Sequence, residues 1–180
     1  MKINRVVQGD IKEIVKYLGI DTKKLEGKTI LISGGSGFLG KYFLQTFWYL
    51  NTHLLTKECR VISVDNYISG TKDTDSDLSG DKNFTFIKHD IKKPLDIKQK
   101  IDYVIHAAGI GSPVYYMKFP LETIEAATEG TKNLLDLVIE RRIKEFVFIS
   151  TDKAVNPKSV LGATKRAGEL LVKAYAQKYP

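Results

Sequence analysis

The sequence predicts an α/β fold with a doubly wound parallel sheet in the strand order 3-2-1-4-5. Five short, almost entirely apolar runs alternate with longer segments of helical periodicity, a pattern typical of parallel strands buried between helices. Right-handed crossovers then favour this strand order. A glycine-rich turn joins the first apolar run of the alternation to its amphipathic segment, and such turns lie where open α/β sheets bind ligands.

The predicted elements follow from this periodicity. A short helix over residues 9–20 comes first, because Ile11, Ile14, Val15 and Leu18 recur at helical spacing. The strands are predicted at 28–33, 60–64, 84–88, 103–106 and 145–150, and the later helices at 38–50, 120–141 and 159–178. Residues 21–27 form a linker, and residues 66–82, rich in Asp, Ser, Gly and Thr, form a long surface loop. The chain is therefore divided into an N-terminal helical extension, 1–26, and an α/β domain, 27–180.

Composition excludes several classes of function. The formal net charge is +7, but the basic residues occur as pairs and form no aromatic-interleaved stripe, so no nucleic-acid partner is expected. No apolar run approaches the ~20 residues of a membrane span, and no secretory signal is visible. Cys59 is the single cysteine and the three histidines are scattered, so we expect no metal site and a cytoplasmic location.

The glycine turn predicts a dinucleotide site. Gly34, Gly37 and Gly40 are spaced three apart, so the backbone can approach a diphosphate at the start of the next helix. The predicted contacts along this turn are Gly34, Ser36, Gly37, Phe38, Leu39 and Gly40. Residues 35–41 also match the G-x-x-x-x-G-K spacing of a triphosphate-binding loop, but Tyr42 stands where that loop needs Ser or Thr.

The ends of the second and fourth strands support the same prediction. Asp65 follows the second strand, with Asn66 beside it. A carboxylate there accepts both hydroxyls of the adenine ribose and repels a 2′-phosphate, which favours NAD over NADP. The small residues Ala107, Ala108 and Gly109 end the fourth strand, where they let a cofactor lie across the sheet edge. His106 is interpreted as a structural residue.

Together these residues resemble the NAD-dependent epimerase/dehydratase family, the extended short-chain dehydrogenase/reductases that act on nucleotide sugars. The resemblance covers residues 27–180 as an NAD-binding Rossmann domain. It rests on five segments: the glycine turn 34–40, Val64–Asn66 with His89–Ile91, His106–Gly109, the stretch from Ser112 to Asn133, and Ser150–Pro157 with Gly162–Lys165. In the family, the segment at Asp90 and Ile91 contacts adenine.

The subclass signals are mixed. Ser150-Thr-Asp-Lys-Ala154 is similar to nucleotide-sugar 4,6-dehydratases of the polysaccharide-biosynthesis type, which implies a UDP- or dTDP-hexose substrate. The segment from Ser112 to Ile124 looks more like dTDP-glucose dehydratases and UDP-glucuronate decarboxylases. Decarboxylase and epimerase activity therefore stay open, as does a non-catalytic NAD-binding module.

The resemblance also implies roles for individual side chains. It places Thr151 as a hydrogen-bonding hydroxyl, Asp152 as the acid that protonates the leaving hydroxyl, and Lys153 as the base at C5 of the sugar. Lys165 is implied to hold the nicotinamide ribose and to lower a neighbouring pKa by its charge. Partners are expected to be a nucleotide sugar and, as in many enzymes, a second copy in a homodimer.

Two departures from the family pattern are visible. The usual Tyr-x-x-x-Lys would place tyrosine at position 161, where this chain has Leu161; Tyr115 and Tyr116 are candidates for a nearby phenol. Family members also continue for roughly another domain beyond the last predicted helix. We therefore expect the chain to be the N-terminal part of a longer fold, truncated before the C-terminal substrate lobe.

Overall fold

A parallel sheet of five strands forms the centre of the molecule. The computed structural model describes residues 4–70 and 77–179. The strands are β1 (Thr29–Ser33), β2 (Arg60–Asp65), β3 (Phe84–Lys88), β4 (Tyr103–His106) and β5 (Glu145–Phe148). Their order is β3-β2-β1-β4-β5, and all four pairings are parallel. The predicted fold class and strand order are confirmed.

Helices cover both faces of this sheet. They are α1 (Arg5–Leu18), α2 (Phe38–His53), α3 (Pro113–Lys118), α4 (Pro120–Glu125), α5 (Thr131–Arg141) and α6 (Val160–Lys178). Two 3-10 segments, Gly19–Leu25 and Asp152–Ala154, and a π turn, Ala126–Gly130, lie between these elements.

Alternate residues of β1 serve two different hydrophobic cores, as the strand period of two requires. Ile30 and Ile32 pack with α1 and α2 residues such as Ile11 and Leu44. Leu31, between them, packs on the other face with Leu134 of α5 and with Val104. All the strand residues named here are almost completely buried, so β1 is held firmly at the point from which the glycine turn departs.

The helices differ from the prediction in several places. The predicted helix 120–141 consists of α4, the π turn and α5. The short helix α3 was not predicted; Pro113 and Pro120 each stand in the first turn of their helix, where proline is tolerated but ends any preceding helix. The predicted linker 21–27 is mostly 3-10 helix, and part of the predicted loop 66–82 lies outside the described residues.

The N-terminal helix packs tightly on the sheet domain. It begins at Arg5, four residues before the predicted start, because the Asn4 side chain accepts a hydrogen bond from the Val6 amide and caps it. Ile11 is fully buried in the core shared with α2, and the Tyr42 hydroxyl of α2 donates to Asp10 at 2.7 Å. The domain division at residue 26 stays a prediction. None of the helices in the described part of the chain has the length and apolarity to cross a membrane.

Candidate functional site

A continuous cleft runs along the carboxyl ends of the five strands. One half, the Asp65 half, is bounded by the glycine turn, the ends of β2 and β3 and the start of α4. The other, the Lys165 half, is bounded by the start of α2, by α3 and by the segment after β5. Gly34, Gly37, Ala107 and Gly109 line both halves. This is where an open parallel sheet is expected to bind a ligand.

Nearly all the sequence-predicted site residues meet in this cleft. The Asp65 half includes Asp65, Asn66, Asp90, Ile91, Ala107, Ala108 and Gly109. The Lys165 half includes Phe38, Leu39, Gly40, Thr151, Asp152, Lys153 and Lys165. Ser36 is the exception, because its side chain is buried behind the turn and its hydroxyl has no partner among the described residues.

The glycine turn is shaped by close backbone approaches. Gly34 has φ = +80°, and a Cβ atom there would lie 2.5 Å from the Ala108 nitrogen. A Cβ at Gly40 would overlap the Gly34 carbonyl oxygen. Among the described residues, no side chain caps the start of α2 at Gly37. Residues 37–40 line the cleft, so the first turn of this helix lies at the cleft without a side-chain acceptor, as an anion site requires.

Asp65 is fixed at the end of β2 by two backbone hydrogen bonds. The Ser36 amide donates to one carboxylate oxygen at 3.0 Å and the Tyr67 amide to the other at 2.7 Å. Each oxygen retains a further lone pair for a ligand hydroxyl. The bond from Ser36 also joins this carboxylate to the glycine turn, so the two parts of the predicted dinucleotide site are held in one arrangement.

The segment Asp90–Lys92 forms the outer wall of the Asp65 half. The Lys92 amide donates to the Asp90 carboxylate at 3.1 Å, and the Asn133 side-chain amide donates to the Ile91 carbonyl at 2.9 Å. The Ile91 side chain lies against Gly130 of the π turn, where a Cβ would come within 2.6 Å of its Cδ1. This wall is therefore attached to the π turn and to α5.

His106 is a buried structural residue, as interpreted from the sequence. Its two ring nitrogens contact the Ser33 hydroxyl at 2.7 Å and the Thr131 hydroxyl at 3.0 Å. Thr131 gives its own proton to the Ala127 carbonyl, so Nε2 of His106 is the donor in the second contact. Burial, with a smaller effect from the Lys165 charge, lowers the pKa of His106 from 6.5 to about 3. The ring is neutral and pins β1, β4 and α5 together.

Lys165 is a buried amine at the floor of the Lys165 half. Its Nζ donates to the Ile149 carbonyl at 2.7 Å and lies 4.7 Å from the centre of the Phe148 ring. Burial lowers the pKa of Lys165 from 10.5 to about 8, because the charged form loses hydration. Gly109 leaves room for this amine, since a Cβ there would lie 3.2 Å from Nζ.

Thr151, Asp152 and Lys153 form the mouth of the same half. They lie at the start of the 3-10 segment that follows β5. The Thr151 hydroxyl and the Lys153 amide both donate to one Asp152 carboxylate oxygen, each at 3.0 Å. Gly162 of α6 packs against the Lys153 carbonyl, where no Cβ would fit, so the segment is held against the helix that carries Lys165.

The structure places one of the two tyrosines named as candidates for a nearby phenol in the site, and it adds two residues that the sequence did not assign to the site. Tyr115 lines the Lys165 half together with the buried Leu161, whereas Tyr116 does not. Glu122 and Lys92 line the Asp65 half. Tyr42 points to Asp10 of α1, away from the turn, which agrees with the case against a triphosphate-binding loop. The part of the chain that the structure describes holds no cluster of three or more metal-ligating side chains.

Comparison with known proteins identifies related sequences and folds. The family model described as polysaccharide biosynthesis protein matches residues 30–179. UDP-glucuronic acid decarboxylase 1 of Danio rerio is 37% identical over 68% of this chain and 26% of its own length. An uncharacterized membrane protein of Methanocaldococcus jannaschii is 32% identical over 80% of this chain and 42% of its own. The chain thus spans less than half the length of these relatives.

Solved structures show the same fold. The dTDP-glucose 4,6-dehydratase DesIV of Streptomyces venezuelae, with NAD bound, has a TM-score of 0.73 at 20% identity and covers 84% of this chain and 52% of its own. The UDP-Glc/GlcNAc 4-epimerase of Campylobacter jejuni has a TM-score of 0.70 at 23% identity, with coverage of 86% and 50%. The chain therefore belongs to the polysaccharide biosynthesis protein family and has the Rossmann fold of NAD-dependent nucleotide-sugar epimerases and dehydratases.

Proposed function

We propose that the chain binds NAD and forms the cofactor half of a nucleotide-sugar 4,6-dehydratase that acts on a UDP- or dTDP-hexose. The observation that carries the proposal is the single cleft in which the glycine turn lies between Asp65 at one end and Thr151–Lys153 with Lys165 at the other. The order of these groups along the cleft is the order in which a dinucleotide followed by a sugar would need them.

The residues fit each part of NAD. The start of α2 presents N–H groups to the diphosphate, and the Asp65 carboxylate has lone pairs for two ribose hydroxyls. Asp90 and Ile91 lie beside the space for adenine. Small residues, Ala107 to Gly109, form the floor, and the Lys165 amine is within the half that would take the nicotinamide ribose.

Dehydration requires an acid and a base near the sugar. Bound NAD would accept a hydride from C4 and return it at C6. Lys153 is assigned to take the C5 proton as the C5–H electrons form the alkene, and Asp152 to protonate the C6 hydroxyl that leaves as water. Thr151 is assigned to hydrogen-bond the oxygen at C4 and, through its own bond to Asp152, to pass the C4 hydroxyl proton to that carboxylate as the hydride leaves. Lys153 gives its proton back to C5 as the hydride returns to C6, so that the net loss is one water. The Thr151 hydroxyl and the Lys153 backbone amide both donate to the Asp152 carboxylate, which supports these neighbouring residues acting together.

Two other functions have specific support. A UDP-glucuronate decarboxylase is favoured by the identity to UDP-glucuronic acid decarboxylases. A non-catalytic NAD-binding module is favoured by Leu161, a buried apolar side chain at the position where the family usually has a tyrosine.

Two measurements separate these functions. Titration calorimetry tests the binding of NAD and NADH, and mass spectrometry identifies the products after incubation with UDP- and dTDP-hexoses and with UDP-glucuronate. A product lighter by one water, lost in Asp152→Asn, supports the dehydratase. A product lighter by carbon dioxide identifies a decarboxylase, and a product of unchanged mass with an altered sugar identifies an epimerase. NAD binding without turnover indicates the non-catalytic module, and no binding of NAD or NADH contradicts the whole proposal.

A further inference from the structure

An ion pair links the outer wall of the Asp65 half to the end of α4. Lys92 Nζ lies 2.6 Å from a Glu125 carboxylate oxygen and 3.7 Å from Asp90. Lys92 and Glu125 are 33 positions apart in the sequence, so the pair joins two separate elements. Both side chains are partly shielded, with 25% and 38% of their surfaces exposed, which strengthens the pair relative to most surface salt bridges.

Lys92 is the cation of an otherwise acidic cluster. Asp90, Glu125 and Glu122 all raise the pKa of Lys92, with the hydrogen bond to Glu125 as the largest cause. Asp90, Lys92 and Glu122 also line the cleft. Without the Lys92 charge, three carboxylates would repel one another around the adenine side of the cleft.

On the helix side, the ion pair is formed next to a break in the regular α-helix. Glu125 is the last residue of α4 and immediately precedes the π turn Ala126–Gly130. Such turns are frequent at functional sites. The same turn supports the Ile91 side chain through Gly130, so the wall is attached to this helix by an ion pair, a hydrogen bond from Asn133 and a packing contact.

We propose that Lys92 and Glu125 form a positioning pair that fixes the wall Asp90–Lys92 and so sets the affinity of the cleft for the adenine half of the dinucleotide. The inference rests on the proposed NAD binding. Neither side chain has to touch the reacting atoms. Their effect is to hold Asp90 and Ile91 at a constant distance from Asp65 across the cleft.

The test compares NAD and AMP binding by titration calorimetry in the wild type, Glu125→Gln and Lys92→Met. In both variants, the affinities for NAD and for AMP are expected to fall by the same factor, about fivefold. Losing the interaction energy of a partly shielded ion pair corresponds to a change of about this size in the dissociation constant. Without ligand, the midpoint of unfolding of each variant should change no more than that of the control variant Glu58→Gln.

The matched control is Glu58→Gln. Glu58 pairs with Lys82 at 3.0 Å and also joins two separated segments, but it lies away from the cleft. A loss of NAD affinity in Glu58→Gln equal to that in Glu125→Gln overturns the inference, as does unchanged NAD and AMP affinity in Glu125→Gln. Wild-type protein that binds neither NAD nor NADH overturns the proposed function itself, which is a distinguishable result.

Discussion

The glycine turn is so tightly packed that single positions within it leave no room for a side chain. We predict that Gly40→Ala destabilises the fold by about 2 kcal/mol or more, because the added Cβ would overlap the Gly34 carbonyl oxygen and crowd Gly35. Urea unfolding measures the change. Gly9→Ala in α1 is the control, since nothing lies within 4 Å of the added Cβ, and it should stabilise by about 0.5–1 kcal/mol. Equal effects of the two substitutions would show that the turn is not tightly packed.

The neutral His106 ring makes stability depend on pH. Its pKa is about 3 in the folded protein against an ordinary value of 6.5, so between these values the unfolded chain binds more protons. Stability from this residue is therefore complete above pH 6.5 and is lost as the pH falls towards 3, with a slope of up to about 1.4 kcal/mol per pH unit.

Unfolding between pH 7 and pH 4 checks this expectation, together with NMR of the imidazole at pH 5. His106→Gln should reduce the slope. A His106 ring found protonated at pH 5 would contradict the prediction.

At the scale of elements, α1 is a part of the packed structure. We predict that Ile11→Ala costs about 2–4 kcal/mol, because Ile11 is fully buried against α2 and the strands. Val6→Ala, at an exposed position of the same helix, should change stability by less than about 0.5 kcal/mol. Both are measured by thermal and denaturant unfolding. A negligible effect of Ile11→Ala would mean that α1 is a loosely attached arm.

The elements could be predicted to the extent that their periodicity is uniform. The five strands are short apolar runs with clear boundaries, and α2 and α6 are long and amphipathic, so their positions were predicted within a few residues. The division of residues 113–141 into α3, α4, the π turn and α5 was not, because a π turn shifts the helical phase without any composition signal. The start of α1 was missed because residues 5–8 precede the apolar repeat that begins at Ile11, and the Asn4 side chain that caps the helix was not recognised as its start signal.

At the scale of the whole molecule, a dinucleotide would connect all five strand ends. We therefore predict that NAD at a hundredfold excess over its dissociation constant stabilises the chain by about 2.7 kcal/mol, measured by denaturant unfolding with and without ligand. NADP at the same concentration should stabilise less, because the Asp65 carboxylate repels a 2′-phosphate. In Asp65→Asn, the stabilisation by NAD and the stabilisation by NADP should differ less than in the wild type. Equal stabilisation by the two cofactors in the wild type would refute the role of Asp65.

The meeting of the candidate residues in one cleft could be predicted, because parallel strands end at one edge of the sheet. Residues after β1, β2, β4 and β5 are then neighbours in space although they are far apart in sequence. The contribution of Lys92 and Glu125 could not be predicted in this way, since their contact depends on the rotation of α4. Tyr115, one of the two tyrosines named from the sequence, reaches the cleft from α3, a helix that the sequence did not predict.

The π turn at Ala126–Gly130 also limits which length changes this region tolerates. A π turn accommodates an extra residue, and each residue rotates the following helix by about 100°. Before the turn, Glu125 faces the cleft wall; after it, Thr131 faces the buried imidazole. Deleting one residue between them would turn one of these faces away, so a single-residue deletion here disturbs the cleft or the core, whereas many substitutions would disturb neither.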